Sequence, residues 1–204
     1  MKKVSQKKVT TIRNKPSRKQ AEEAVKTLIK WAGDNPEREG LLETPKRVVN
    51  SYKEFFSGYD SKPEQILSKT FDEVEGYDEM VIVRDIAIES HCEHHMVPFI
   101  GIAHIGYIPN KRIVGISKLA RIADVFAKRL QTQEIMTAQI ADTINEVLKP
   151  KGVAVVIDAQ HQCMTTRGTH KTESSTITSR MLGLFRTNSN TRNEFMNLIN
   201  SANS

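Results

Sequence analysis

The sequence predicts an α+β fold, an antiparallel four-stranded sheet backed by two helices. Segments rich in Val and Ile recur at 80–88, 99–108, 153–160 and 176–185, the signature of half-buried and buried strands. Between the second and third of them lie two stretches, 117–130 and 132–148, whose apolar residues fall at helical spacing. The order strand, strand, helix, helix, strand, strand favours hairpins with both helices on one face of the sheet.

Two further helices precede this unit. Ser17 and Gln20 have the spacing of a capping box. Ala21, Val25, Leu28, Ile29 and Ala32 then form one apolar stripe that Asp34-Asn35-Pro36 ends. Thr44-Pro45 reads as a cap followed by Pro at the first helical position, with Val48, Tyr52, Phe55 and Phe56 facing inward and Gly58 as the stop. Residues 61–67 read as a loop or short helix. In the main unit Ser117 is expected to cap a helix that buries Leu119, Ile122, Ala123 and Phe126. The next helix buries Met136, Ile140, Ile144 and Val147, and Pro150 and Gly152 break it. A last helix is expected over 191–200. A four-stranded sheet leaves two free edges, which association of several copies into a closed barrel would remove. The resulting division is a disordered basic arm at 1–16, a helical segment at 17–68 and the catalytic domain at 69–204.

Charge confirms that the arm differs from the body. The net charge is +6 with a pI near 9.3, yet the first 20 residues hold eight Lys and Arg and no acid. The remaining chain is slightly acidic, so the basic balance belongs to a tail and does not call for a nucleic-acid partner. No apolar run reaches the roughly 18 residues of a membrane span, so no membrane partner is expected. The arm lacks the apolar stretch of a secretory signal. Two cysteines, Cys92 and Cys163, in a chain with no other mark of a secreted scaffold fit a reducing cytoplasm.

The densest chemical signal is His91-Cys92-Glu93-His94-His95, immediately after the first strand. Cys92 and His95 are three apart, so a turn can bring a thiolate and an imidazole to one cation. His161-Gln162-Cys163 closes the third strand, and residues two apart on a strand share a face. Cys163 can therefore complete a set with Cys92 and His95. Two thiolates and an imidazole suit Zn²⁺, and three protein ligands leave a fourth position for water, the mark of a catalytic site. His94 or His161 could instead fill that position. Otherwise they are the candidate proton donors, since an unperturbed imidazole titrates near ~6.5.

Two weaker signals follow. Ser117, Lys118 and Arg121 sit at a helix start, where free backbone amides attract phosphate. Arg167-Gly168, shortly after the second metal segment, could add a cation. Gln133-Glu134 opens the next helix, where the helix dipole favours an acid and the Glu134 carboxylate offers two acceptor oxygens.

At these residues the chain resembles GTP cyclohydrolase I. The strings are Glu89-Ser90-His91-Cys92-Glu93-His94-His95, Pro98-Phe99-x-Gly101, Tyr107-Ile108-Pro109, Gly115-Ile116-Ser117-Lys118-Leu119-x-Arg121, Gln133-x-x-x-Thr137-x-Gln139-Ile140, His161-x-Cys163 and Arg167-Gly168. The likeness runs from about residue 20 to 200 and is most specific over 89–168. It implies the tunnelling fold, N-terminal helices followed by sheets and paired helices that assemble into a barrel, and a homodecamer. It implies zinc on Cys92, His95 and Cys163, with His94 and His161 assisting catalysis. It implies substrate binding by Glu134 and Gln133 at the guanine, and by Ser117, Lys118, Arg121, Arg167 and Arg47 at the triphosphate. The implied reaction takes GTP and water to 7,8-dihydroneopterin triphosphate and formate, the first step toward tetrahydrofolate or biopterin. Two other readings compete: a nitrile reductase of the same fold, which needs a thiol nucleophile and a nicotinamide, and a zinc-stabilised nucleic-acid-binding protein with a basic arm.

Overall fold

The computed structural model describes residues 14–68, 70–71 and 77–201, and these fall into two units that divide between Ser57 and Gly58. The basic arm expected over 1–16 lies outside the described residues except for 14–16.

In the smaller unit, α1 (Arg18–Trp31) opens with the expected capping box: Gln20 N–H donates to Ser17 Oγ at 3.3 Å, and Ser17 N–H to Gln20 Oε1 at 2.8 Å. It packs against α2 (Thr44–Phe55). The α2 cap differs from expectation. Glu43 holds the N-cap position without a side-chain bond, so Thr44 and Pro45 are already helical. Pro is tolerated there because the first turn's N–H groups have no helical partner.

The larger unit begins with α3 (Pro63–Leu67) and a two-residue strand β1 (Thr70–Phe71), which pairs with β4 (Ile113–Val114). The main sheet contains β2 (Val81–Cys92), β3 (Pro98–Ile108), β5 (Leu130–Gln131), β6 (Gly152–His161) and β7 (Thr176–Gly183) in the order β5-β2-β3-β6-β7. The four expected strands form the expected antiparallel hairpins. The fifth, β5, runs parallel to β2 and replaces the end of the helix expected over 117–130. That helix, α4 (Ile116–Ala127), stops because Lys128 turns to ψ 48°, and Leu130 and Gln131 then pair with His91 and Cys92.

Two other boundaries move. Ser117 is not the cap of α4: Gly115, extended at φ −56°, ψ 130°, is the last residue outside the helix, and Ser117 is its second residue. β7 ends at Gly183 rather than at Phe185. Gly183 has φ 55°, and any Cβ there would strike the Lys151 carbonyl, so the chain turns into α7 (Leu184–Thr187) and then α8 (Ser189–Asn200).

The alternation of the strands builds two cores. Phe99, Ile105, Tyr107, Val153, Val155 and Ile157 face α4 and α5 (Gln133–Leu148), meeting Leu119, Ile122, Met136, Ile140 and Ile144. Each such fully buried side chain contributes about 1.5–3 kcal/mol of transfer free energy. On the opposite face Phe185, Phe195 and Ile199 cover Ile108, Ala154 and Val156. Farther along that face Ile100, Ile102 and Ile177 stay 51, 40 and 67% exposed. In β2 the register slips between Val83 and Ile86, and Asp85 adopts φ 58° in the bulge.

Candidate metal centre and its surroundings

β2 extends through Cys92 because Pro98 pairs with His91 at the mouth of the hairpin. His91 and Cys92 are thus strand residues, not the start of a loop. The chain then doubles back: Cys92 N–H bonds the Val97 carbonyl at 3.0 Å, and Met96 N–H bonds the Cys92 carbonyl at 2.8 Å. Met96 closes this turn at φ 54°. The tight return brings His94 Nδ1 to 3.7 Å and His95 Nδ1 to 4.0 Å from Cys92 Sγ.

Cys163 arrives by a different route from the one expected. β6 ends at His161, so His161 and Cys163 do not share a strand face. Cys163 instead lies in α6 (Gln162–Thr165), a single turn that follows at once. Its sulfur still reaches the pair: ligand atoms of Cys92, His95 and Cys163 all lie within 4.8 Å of one another. His94 and His161 stand outside this group. Both cysteines are free thiols. Burial pushes the Cys163 thiol up, and the neighbouring Cys92 pushes it further. Two sulfurs this close resist ionising together, and a divalent cation between them removes that penalty. The donor set and its convergence fit a zinc ion.

His161 is held by two elements, β3 and α5. Its ring stacks on Phe99, its register partner in β3, with centroids 4.6 Å apart and planes 9° from parallel. Its Nε2 lies 2.8 Å from Gln133 Oε1. Burial lowers its pKa, while the carboxylate of Glu134 raises it. Gln133 is 1% exposed and Glu134 is exposed, so the first two residues of α5 look inward and outward beside the same imidazole. Thr132 caps α5 by accepting from Ile135 N–H at 3.3 Å.

The cations divide between places. Arg167 is beside the centre, with Nη1 3.0 Å from His95 Nε2. Ser117, Lys118 and Arg121 lie on the first two turns of α4, Ser117 and Arg121 exposed and Lys118 half-buried. Among the described residues Arg121 has no carboxylate partner, which leaves its charge available to an anion. Arg47 is exposed on α2 in the smaller unit.

Two features of the site have no signal in the sequence: Phe99 against His161, and the Thr137 and Thr178 hydroxyls, which bond Gln133 and each other. Phe99 reads as an ordinary core residue, and only its pairing with His161 exposes its second role.

The GTP cyclohydrolase I family model matches residues 21–200. A GTP cyclohydrolase 1 of Maricaulis maris is 58% identical over 191 residues, 94% of this chain and 93% of that protein. A GTP cyclohydrolase 1 of Brucella suis is 57% identical over 196 residues, 96% of this chain and 92% of that protein. Among solved structures, the archaeosine synthase QueF-Like in the apo form aligns with a TM-score of 0.41 at 13% identity, over 51% of this chain and 93% of that one.

Proposed function

Because the chain belongs to the GTP cyclohydrolase I family of enzymes, we propose that it converts GTP and water to 7,8-dihydroneopterin triphosphate and formate with a zinc ion held by Cys92, His95 and Cys163. The observation that carries this reading is the convergence of those three donors from two distant segments onto one spot.

Bound zinc supplies a Lewis acid that makes water nucleophilic at neutral pH. The protein's own groups do the rest. Glu134 accepts the N1–H and amino protons of guanine and so sets the purine beside His161. His161 delivers a proton to the imidazole ring of the purine as it opens, and His94, 3.7 Å from the Cys92 sulfur, serves as a second acid–base group. Ser117, Lys118, Arg121 and Arg167 take the triphosphate. Gln133 serves the guanine end through its bond to His161.

We further propose a tunnelling-fold homodecamer in the cytoplasm, acting at the first step toward tetrahydrofolate or biopterin, with GTP as its small-molecule partner and neither nucleic acid nor membrane. The apolar stretch at Ile100, Ile102 and Ile177 supports a barrel of several copies. No helix of the described residues is long and apolar enough to cross a membrane.

The test is anaerobic incubation of the zinc-loaded protein with GTP, following pteridine absorbance and formate together. Equal amounts of both are expected. NADPH consumption without formate would replace this reading with a reductase.

A further inference from the structure

The side-chain amide of Gln133 has only one workable orientation. Its nitrogen faces the Thr176 carbonyl at 2.7 Å, the Ile157 carbonyl at 3.0 Å and Thr178 Oγ1 at 3.1 Å. Two of those three can only accept, so a flipped amide would set oxygen against oxygen twice in a buried place. The threonines settle the third. Thr137 has one hydroxyl proton, and it goes to the Gln133 backbone carbonyl at 2.7 Å. In the 2.7 Å contact between Thr137 and Thr178, Thr178 must therefore donate, which leaves its oxygen to accept from Gln133.

With the nitrogen so committed, Gln133 Oε1 is the atom 2.8 Å from His161 Nε2. An amide oxygen accepts and cannot donate, so Nε2 must carry the proton. Stacking on Phe99 fixes the plane of the same ring. We propose that Gln133 is a positioning residue that locks neutral His161 in the Nε2–H tautomer, leaving Nδ1 as the ring nitrogen that meets the purine and that takes up, then gives up, the transferred proton. Gln133 then acts on the reaction without touching the substrate. The catalytic consequence rests on the GTP ring-opening reading; the tautomer does not.

The experiment separates the two. The full-length, zinc-loaded protein, labelled with ¹⁵N-histidine and free of nucleotide, is examined by magic-angle-spinning NMR at an alkaline pH, with a His161→Gln sample identifying the His161 signals. The expected spectrum shows a protonated Nε2 and a bare Nδ1. In Gln133→Met the locked form gives way to a mixture of tautomers. For that variant kcat is expected to fall about 10–100-fold while KM for GTP moves less than about twofold, the pattern of a lost orienting contact. A wild-type Nδ1–H overturns the proposal. So does a Gln133→Met protein that raises KM and keeps the tautomer. If Gln133→Met does not fold, the wild-type spectrum decides. If the tautomer is as expected but no formate appears from GTP, the assignment stands and the ring-opening reading fails.

Discussion

Arg167 Nη1 and His95 Nε2 stand 3.0 Å apart, a bond in which the guanidinium can only donate and the imidazole must accept. A neutral imidazole has one bare nitrogen. The proton then sits on Nδ1, the nitrogen 4.0 Å from the Cys92 sulfur. If His95 held a metal through Nδ1, its proton would have to sit on Nε2, facing the Arg167 donor, and that bond would break, leaving the guanidinium for an anion. Arg167→Ala should keep its zinc and raise KM for GTP about 10–100-fold, the loss of one charge-assisted bond. Initial rates and metal analysis check this; an unchanged KM removes Arg167 from the triphosphate site.

Cys163→Ser should lose zinc and activity together, because serine does not ionise to a comparable ligand near neutral pH. Elemental analysis of the purified variant reads the result. One zinc per chain in Cys163→Ser would take Cys163 out of the ligand set.

Glu134→Gln should blur the choice of base. The new amide sets a donor against a donor of guanine, and preference for GTP over ATP should fall at least about tenfold. The measurement is kcat/KM for both nucleotides, with intact preference counting against the anchor.

Stability should fall as the solution is acidified below the usual histidine range. His104 is buried on the sheet face opposite α4 and α5, accepting from Asp85 N–H at 3.3 Å. Burial lowers its pKa, Asp85 and Asp158 raise it, and Arg84 lowers it. A folded-state pKa below the unfolded value means that the unfolded chain takes the proton first. Nothing is lost above about pH 6.5; the loss grows below that and is complete beneath the lowered folded value. Urea midpoints against pH should slope downward there, and His104→Gln should flatten the slope. A parallel profile would show that His104 contributes no linkage.

Gly101→Ala should destabilise the pairing of β3 with β6 beside the site. A Cβ there would strike the Asp158 carbonyl and approach the Ala159 Cβ to 2.7 Å, so β3 and β6 would have to part. The cost is about 1–3 kcal/mol, read from denaturant unfolding. An unchanged midpoint would mean that the strands yield freely.

Much of this was legible in the sequence because it rests on spacing. Three metal-binding side chain types within five residues mark Cys92–His95, and period-two and period-3.6 patterns mark the sheet and its helices. What escaped has no local signature. β5 is two residues long, and its partner lies some forty residues earlier in the sequence. The bulge depends on Asp85 accepting φ 58° against a histidine in the next strand. Gln133 was placed with the substrate contacts, since nothing in an isolated glutamine says that carbonyls of β6 and β7 will occupy its nitrogen. Ser117 looked like a cap because serine usually is one, while the backbone leaves the extended region two residues earlier.

The short parallel pairing of β5 with β2 has one further result. Glu93 N–H bonds the Gln131 carbonyl at 2.9 Å, and α5 begins two residues later. The sulfur-bearing turn and the Gln133–Glu134 pair are thus fastened to one peptide. A displacement of that peptide would be felt at once by the sulfur-bearing turn and by the start of α5, so any change in one would register in the other.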